Sequence, residues 1–334
     1  MNDPKLHHYV PRFHLARFAN VRGHVYTLDK SKGRVFAAGP MALAAETHFY
    51  KLPEFIGSEV DPLFLEKQFS EIEGEACSIT ACWLRQLERL SADNPPTPDG
   101  RDGLSRAFKA GENPLPKLEI PAVNRQIMSD FIALQFFRTA DARELLKLFT
   151  EASGRYQEGV SDDEARSLQA RMLCQIGDGE GIVYEFARRI EKGVWMIAEN
   201  RSEVPFHTSD TPVLLKTPDN RKWLKGPGIF EPGVYVVYAI TPNYVLYCKE
   251  RTWWQMLAPL DNCLSPVLIS EEMAQHENSG HAGLSGRFVF SRADDFDEAK
   301  AFISDPENFP SLEVLLTPGS SKGDKCEPSA ETAG

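Results

Sequence analysis

Apolar residues recur with two different periods along this 334-residue chain, and the period changes near residue 193. Before that point the steps are three and four. Asp61-Pro62 supplies an N-cap and a proline for the first helical position, and Leu65, Phe69, Ile72, Ala76, Ile79, Trp83, Leu87 and Leu90 then form one stripe, which predicts a helix of about seven turns. Ile127, Phe131, Leu134, Leu145 and Phe149 form a second stripe, predicting a helix over 122–150. Phe136 and Phe137 fall on its other faces, so this helix is expected to be central. Ser161 and Glu164 have the spacing of a capping box. The helical region they open breaks at Gly177-Asp178-Gly179-Glu180-Gly181 and resumes over 183–192.

After Gly193 the period is two. Strands are expected at 194–198, at 205–215 with a polar interruption, at 234–240 and 244–248 around Thr241-Pro242-Asn243, and at 287–290. Helices are expected near 266–278 and 294–304. At the other end, 15–20 reads as a short helix, 24–29 and 34–37 as a hairpin around Lys30-Ser31-Lys32-Gly33, and 49–52 as a further short strand. A β element, a helical block and a β-rich half in that order predict an α+β fold. The expected division of one domain is a small N-terminal β element at 5–58, a helical block at 59–192, and a β-rich half with one or two helices at 193–316. A proline- and glycine-rich insertion, expected to be mobile, occupies 91–121, and 317–334 reads as a disordered tail.

Composition narrows the function classes. A net charge of −11 argues against nonspecific binding along nucleic acid, which needs a basic footprint. The six cysteines form no CxxC pair, the opening MNDPKLHHYV lacks a signal-peptide pattern, and no apolar run reaches the length of a membrane span. These features predict a cytoplasmic protein without a membrane partner.

Candidate chemistry sits in three places. Three of the eight histidines, His7, His8 and His14, crowd the start, with Pro11 fixing the backbone between them. His8 is the candidate general base or metal ligand, His7 reads as a solvated neighbour, and His14 as local variation. Arg138 falls in the middle of the second apolar stripe with Gln135 at its edge. Either it fixes a buried carboxylate, or its planar fork holds a phosphate or carboxylate ligand. Glu66 and Glu73 lie seven residues apart on one side of the first long helix, and Glu66 could answer Arg138. His207-Thr208-Ser209-Asp210-Thr211-Pro212 ends an apolar strand, either as a turn or as part of a site. The glycine-rich 177–181 follows a helix rather than a strand and is a poor phosphate loop.

Together, His7-His8-Tyr9-Val10-Pro11-Arg12-Phe13-His14-Leu15-Ala16-Arg17-Phe18, Gln135-Phe136-Phe137-Arg138 and Phe206-His207-Thr208-Ser209-Asp210-Thr211-Pro212-Val213 resemble the domain-of-unknown-function family numbered 4238, over roughly residues 5–295. The resemblance carries over His8, Pro11, Gln135, Arg138, Ser209 and Asp210, and implies no activity. The expectation is one cleft between the helical block and the β-rich half. Its catalytic groups would be His8, Asp210 and Gln135, and its ligand-binding groups Arg138, Ser209 and Glu66, with a divalent metal as candidate cofactor. A nucleotide or other phosphate-containing small molecule is the candidate partner. The activity would be that of a hydrolase or nuclease in a prokaryotic defence or toxin setting. The alternative is a noncatalytic sensor or interaction module in which the same residues form a structural polar network.

Overall fold

The structure is a computed structural model. It describes residues 6–47, 64–93, 115–153, 159–265, 267–305 and 308. The expected strand at 49–52, the Asp61-Pro62 helix start, most of the 91–121 insertion and the 317–334 tail lie outside these residues.

The change of period is the boundary between helices and the main sheet. Helix α2 (Phe64–Asp93) buries Leu65, Phe69, Ala76, Ile79, Trp83 and Leu87 of the expected stripe. The Trp83 ring meets the edge of Trp195 on β5 (Val194–Glu199), which joins this helix to the sheet. Helix α3 (Ala122–Phe137) is buried along most of its length, as a helix apolar on several faces must be. Arg125 near its start spreads one guanidinium over Glu191 O (2.6 Å), Asn262 Oδ1 (2.7 Å) and Gly193 O (2.5 Å), and lies over the Trp195 ring.

The expected single helix over 122–150 is two helices. α3 ends at Arg138, and α4 (Ala140–Ala152) begins after Thr139, whose hydroxyl accepts from Ala142 N. Gln169 of α5 (Asp162–Cys174) donates to Phe137 O, a carbonyl that the break releases, and to Thr139 O, which also accepts the first bond of α4 from Arg143 N. The capping box at Ser161 and Glu164 forms. The glycine-rich break before α6 (Gly181–Lys192) is a turn with Gly179 and Gly181 at positive φ, a backbone need that glycine meets without strain.

In the β-rich half, β5, β7 (Val213–Lys216), β8 (Trp223–Leu224), β9 (Tyr235–Thr241), β10 (Tyr244–Lys249) and β11 (Cys263–Leu264) form a sheet of order β11-β5-β10-β9-β7-β8. It is antiparallel except at β11, which runs parallel to β5. The expected 205–215 strand is divided between two sheets. Its first part, β6 (Thr208–Ser209), edges a four-stranded sheet of order β3-β2-β12-β6, built from β2 (Val25–Asp29), β3 (Arg34–Ala38) and β12 (Phe288–Ser291). The N-terminal hairpin is thus completed by the C-terminal part of the chain. Helices α7 (Glu271–Leu284) and α8 (Asp297–Ser304) start later than expected, α7 because Ser270 caps it through Met273 N. β1 (Leu6–His8) pairs antiparallel with β4 (Ala45–Thr47), and α1 (Arg12–Arg17) begins directly after Pro11. The fold is α+β.

Candidate functional site

The first two histidines, Glu66 and the Gln135/Arg138 face meet at one place. β1 carries His7 and His8 on adjacent positions, so their side chains leave opposite faces of the strand. His7 is fully buried rather than solvated, with Nδ1 3.9 Å from Glu66 Oε2 on α2. His8 is half-buried, and its Nε2 lies 3.2 Å from Met41 O. A carbonyl only accepts, so Nε2 carries the hydrogen and Nδ1 holds a lone pair. Burial lowers the His8 pKa, and the Arg12 and Arg138 charges lower it further against the pull of the Met41 carbonyl and Glu73. The imidazole is held neutral at physiological pH.

Arg138 is completely buried, and its partner is Glu73 rather than Glu66. Its Nη1 lies 2.7 Å from Glu73 Oε1, one α-helical heptad beyond Glu66. Its Nε donates to Tyr9 O at 3.2 Å, and the guanidinium stacks over the Phe69 ring at 5.0 Å. With its amide oxygen facing the guanidinium, Gln135 accepts from Nε and Nη2 at 2.7 Å each. Helix α3 ends at this residue, which aims the side chain back at the β1–α1 connection. Arg138 therefore ties the opening segment, α2 and α3 together. Its charge is balanced inside the protein.

Glu66 is the group this arrangement perturbs most. Its side chain is 22 % exposed. Burial, then the Glu73 charge, push its pKa up to about 7 against the pull of Arg138. A carboxyl poised there exchanges protons at neutral pH.

Ser209 and Asp210 bond to other partners. Ser209 Oγ donates to Thr211 O (2.8 Å) and accepts from Thr211 N, with His281 Nδ1 3.0 Å away. The buried His281 is lowered to about 3 by burial and by nearby His207, so it stays neutral. The Asp210 carboxylate accepts from the backbone N–H groups of Gly286, Arg287 and Phe288 at 2.7–2.9 Å. Burial raises its pKa to about 6 against those three bonds. Among the described residues no hydrogen bond or ion pair joins Asp210 to His8 or Arg138. His14 is buried between Thr208 Oγ1 (3.0 Å) and the Tyr238 hydroxyl (2.9 Å), and burial pushes its pKa well down. His207 Nε2 faces Asp295 Oδ1 at 3.2 Å.

The expected site residues thus bond in two groups, with no direct contact between them among the described residues. His8, Glu66, Gln135 and Arg138 cluster with His7 and Glu73, whereas Ser209 and Asp210 pin the corner where the chain leaves one sheet for the other. Glu73 was legible as the second acid on the right side of α2, but seven-residue spacing could not choose between it and Glu66. Among the described residues, no three His, Cys, Asp or Glu side chains converge closely enough to hold a metal ion, and no helix is long and apolar enough to cross a membrane.

An α+β protein whose opening segment is locked to a helix end by a buried arginine is the class that fold and cluster define. The family described as "Protein of unknown function (DUF4238)" matches residues 6–295, and the chain belongs to it. No curated protein and no solved structure matches the chain.

Proposed function

We propose that the chain is a hydrolase with Glu66 and His8 as its proton-transfer groups, acting on a phosphate-containing small molecule of the nucleotide class. The observation that carries this reading is Glu66: a partly exposed carboxyl on a rigid helix, held near pH 7 by its surroundings. Within the field of the same Glu73–Arg138 pair, His8 is kept neutral with a lone pair on Nδ1, while its strand neighbour His7 is the histidine that faces Glu66. Environments that push two titratable groups in opposite directions give one acid and one base. His8 would take the proton of an attacking water, and protonated Glu66 would supply one to the leaving oxygen. Arg138 cannot receive the substrate, because it is sealed and paired. Arg12 is exposed and close enough to act on His8, and it offers the accessible positive charge. A divalent ion would enter with the substrate's phosphates rather than on a protein cage.

The test is hydrolysis of nucleotides and of an activated phosphodiester, with Mg²⁺ added or chelated. Glu66→Gln is expected to lower kcat by about a hundredfold or more and to abolish the pH limb near 7. Arg12→Ala is expected to raise KM. Full activity in both Glu66→Gln and His8→Ala would sink the proposal.

A second reading is favoured by a different observation: Gln135, Arg138, Ser209 and Asp210 are all buried and bonded within the protein. On that reading the motif is a polar network in a noncatalytic module. Folded wild-type protein would turn over none of these substrates, and Arg138 and Asp210 variants would change stability alone.

A further inference from the structure

Four strands of the six-stranded sheet place one residue each in a single row. Lys249 on β10 is paired with Tyr235 on β9, Tyr235 with Lys216 on β7, and Lys216 with Trp223 on β8. Directly paired residues point to the same face, so two lysines share one face of the sheet. Helix α7 sets Glu277 against that face. Lys216, which has no exposure, is answered there, with its Nζ 2.8 Å from Glu277 Oε1. Lys249 is not. We propose that Lys249 is a nucleophilic amine that condenses with a small, neutral, apolar aldehyde to form an imine, at a site sharing no residue with the Glu66 cluster.

The surroundings of the amine are the first argument. Lys249 Nζ lies 3.4 Å from the centre of the Tyr235 ring, 4.1 Å from that of Trp254 and 5.9 Å from that of Tyr247. Among the described residues it makes no hydrogen bond and no ion pair, although an ammonium has three hydrogens to donate. Ring faces attract a cation, but they do not replace the water that an ammonium gives up on burial. Glu277 is the carboxylate that acts on Lys249, and it is already committed. Its Oε1 accepts from Lys216 Nζ and, at 3.1 Å, from the Tyr247 hydroxyl. Burial, then the Lys216 charge, push the Lys249 amine down to about 7 against the pull of Glu277. A desolvated lysine beside a second cation keeps its lone pair free for attack on a carbonyl carbon.

Access is the second argument. Lys249, Tyr247 and Trp254 each keep part of their surface in solvent. Glu277 Oε2 is sealed away without a hydrogen-bond partner, whereas Lys249 Nζ is not sealed. In the reaction the Nζ lone pair attacks the aldehyde carbon, and both amine hydrogens leave with the carbonyl oxygen as water. A carbon–nitrogen double bond replaces the carbon–oxygen one. Charge selects the partner. Lys216 and Glu277 balance one another, so a charged group on the aldehyde gains nothing in exchange for its lost hydration, while the Tyr235 and Trp254 rings offer apolar contact.

Propanal and sodium cyanoborohydride, added to the full chain, trap such an imine as a propyl group, and peptide mass spectrometry reads the rate at each lysine. At pH 7 Lys249 should be propylated about tenfold or more faster than exposed lysines such as Lys32. That ratio should shrink at pH 9, where ordinary lysines gain free amine and Lys249 has little left to gain. Glyoxylate, an aldehyde carrying a negative charge, should give a smaller ratio than propanal. Lys216→Met removes the neighbouring cation and leaves Glu277 free to hold the Lys249 ammonium, so it should slow propylation of Lys249 severalfold at pH 7. The proposal fails if Lys249 reacts no faster than Lys32 at pH 7, if the ratio holds at pH 9, if glyoxylate is favoured, or if folded Lys216→Met leaves the rate unchanged. Should Lys216→Met not fold, the wild-type ratios at the two pH values decide alone.

Discussion

Arg138 shows what one residue can and cannot reveal in sequence. Its position on an apolar face marks it as paired, because an arginine with no exposure must have its charge answered. The identity of the partner depends on the azimuth of α2 relative to α3, which no local pattern carries. Glu73→Ala leaves that buried charge uncompensated and is expected to cost about 3–5 kcal/mol in urea unfolding. The double variant Glu73→Ala/Arg138→Met should lose less than the sum of the singles. A double loss equal to that sum would mean the two side chains do not interact. Glu66 gives the pH counterpart. Its folded pKa of about 7 lies above the value of 4.5 it has in an unfolded chain. The protonated carboxyl is therefore the form the fold prefers, and the contribution is whole below about pH 4.5 and lost as pH rises through about 7. Lowered histidines such as His8, His14 and His281 work in the opposite sense below 6.5, so wild type alone does not isolate the effect. Measured against wild type, Glu66→Gln should gain stability between pH 5 and 8, on the order of 2 kcal/mol. A constant difference over that range would remove Glu66 as a group titrating near neutrality.

At the scale of elements, periodicity located helices and strands well and their ends poorly, for identifiable reasons. The break between α3 and α4 contains no proline or glycine. It is made by a threonine cap and by Gln169 reaching from another helix to the Phe137 and Thr139 carbonyls, and only the second of these is invisible locally. The division of 205–215 between two sheets has a similar origin. Ser209-Asp210-Thr211-Pro212 is legible as a turn, but the sheet on each side of it is chosen by distant partners. Asp210 holds that corner by accepting three backbone N–H groups from Gly286, Arg287 and Phe288, the approach to β12 and its first residue. Asp210→Ala leaves those partly buried donors without their protein acceptor, at about 1–3 kcal/mol for each one that finds no water. Amide exchange should show lost protection at 286–291 before the six-stranded sheet is affected. Uniform loss across the molecule would mean the corner has no local stability of its own.

For the molecule as a whole, the feature that sequence could not supply is the joining of its ends. β12 pairs with β2 on one side and β6 on the other. The Arg287 guanidinium grips both oxygens of Asp29 across 258 residues of chain, at 3.1 and 2.8 Å. Hairpin signals are local, and they identified β2 and β3, but a pairing of this separation leaves no periodic trace. The Asp29 carboxyl is held well below its usual range by that bidentate contact, so the pair persists to low pH. Beneath the sheet, Leu28 and Val289 pack with Ala282, Phe296 and Ala299 in a small core apart from the main one. An isolated β2–β3 hairpin would expose this apolar face and be marginal in water. The N-terminal β element should therefore not fold without β12. Ending the chain after Ser285 removes β12 and α8, and it should abolish cooperative unfolding and near-ultraviolet circular dichroism. Val289→Asp, placing a carboxylate in the fully buried centre of that small core, should act in the same direction within the complete chain. If the shortened protein instead retained a cooperative transition with an ordered 25–38 hairpin, the closure of the two ends would be an accessory to the fold rather than a condition of it.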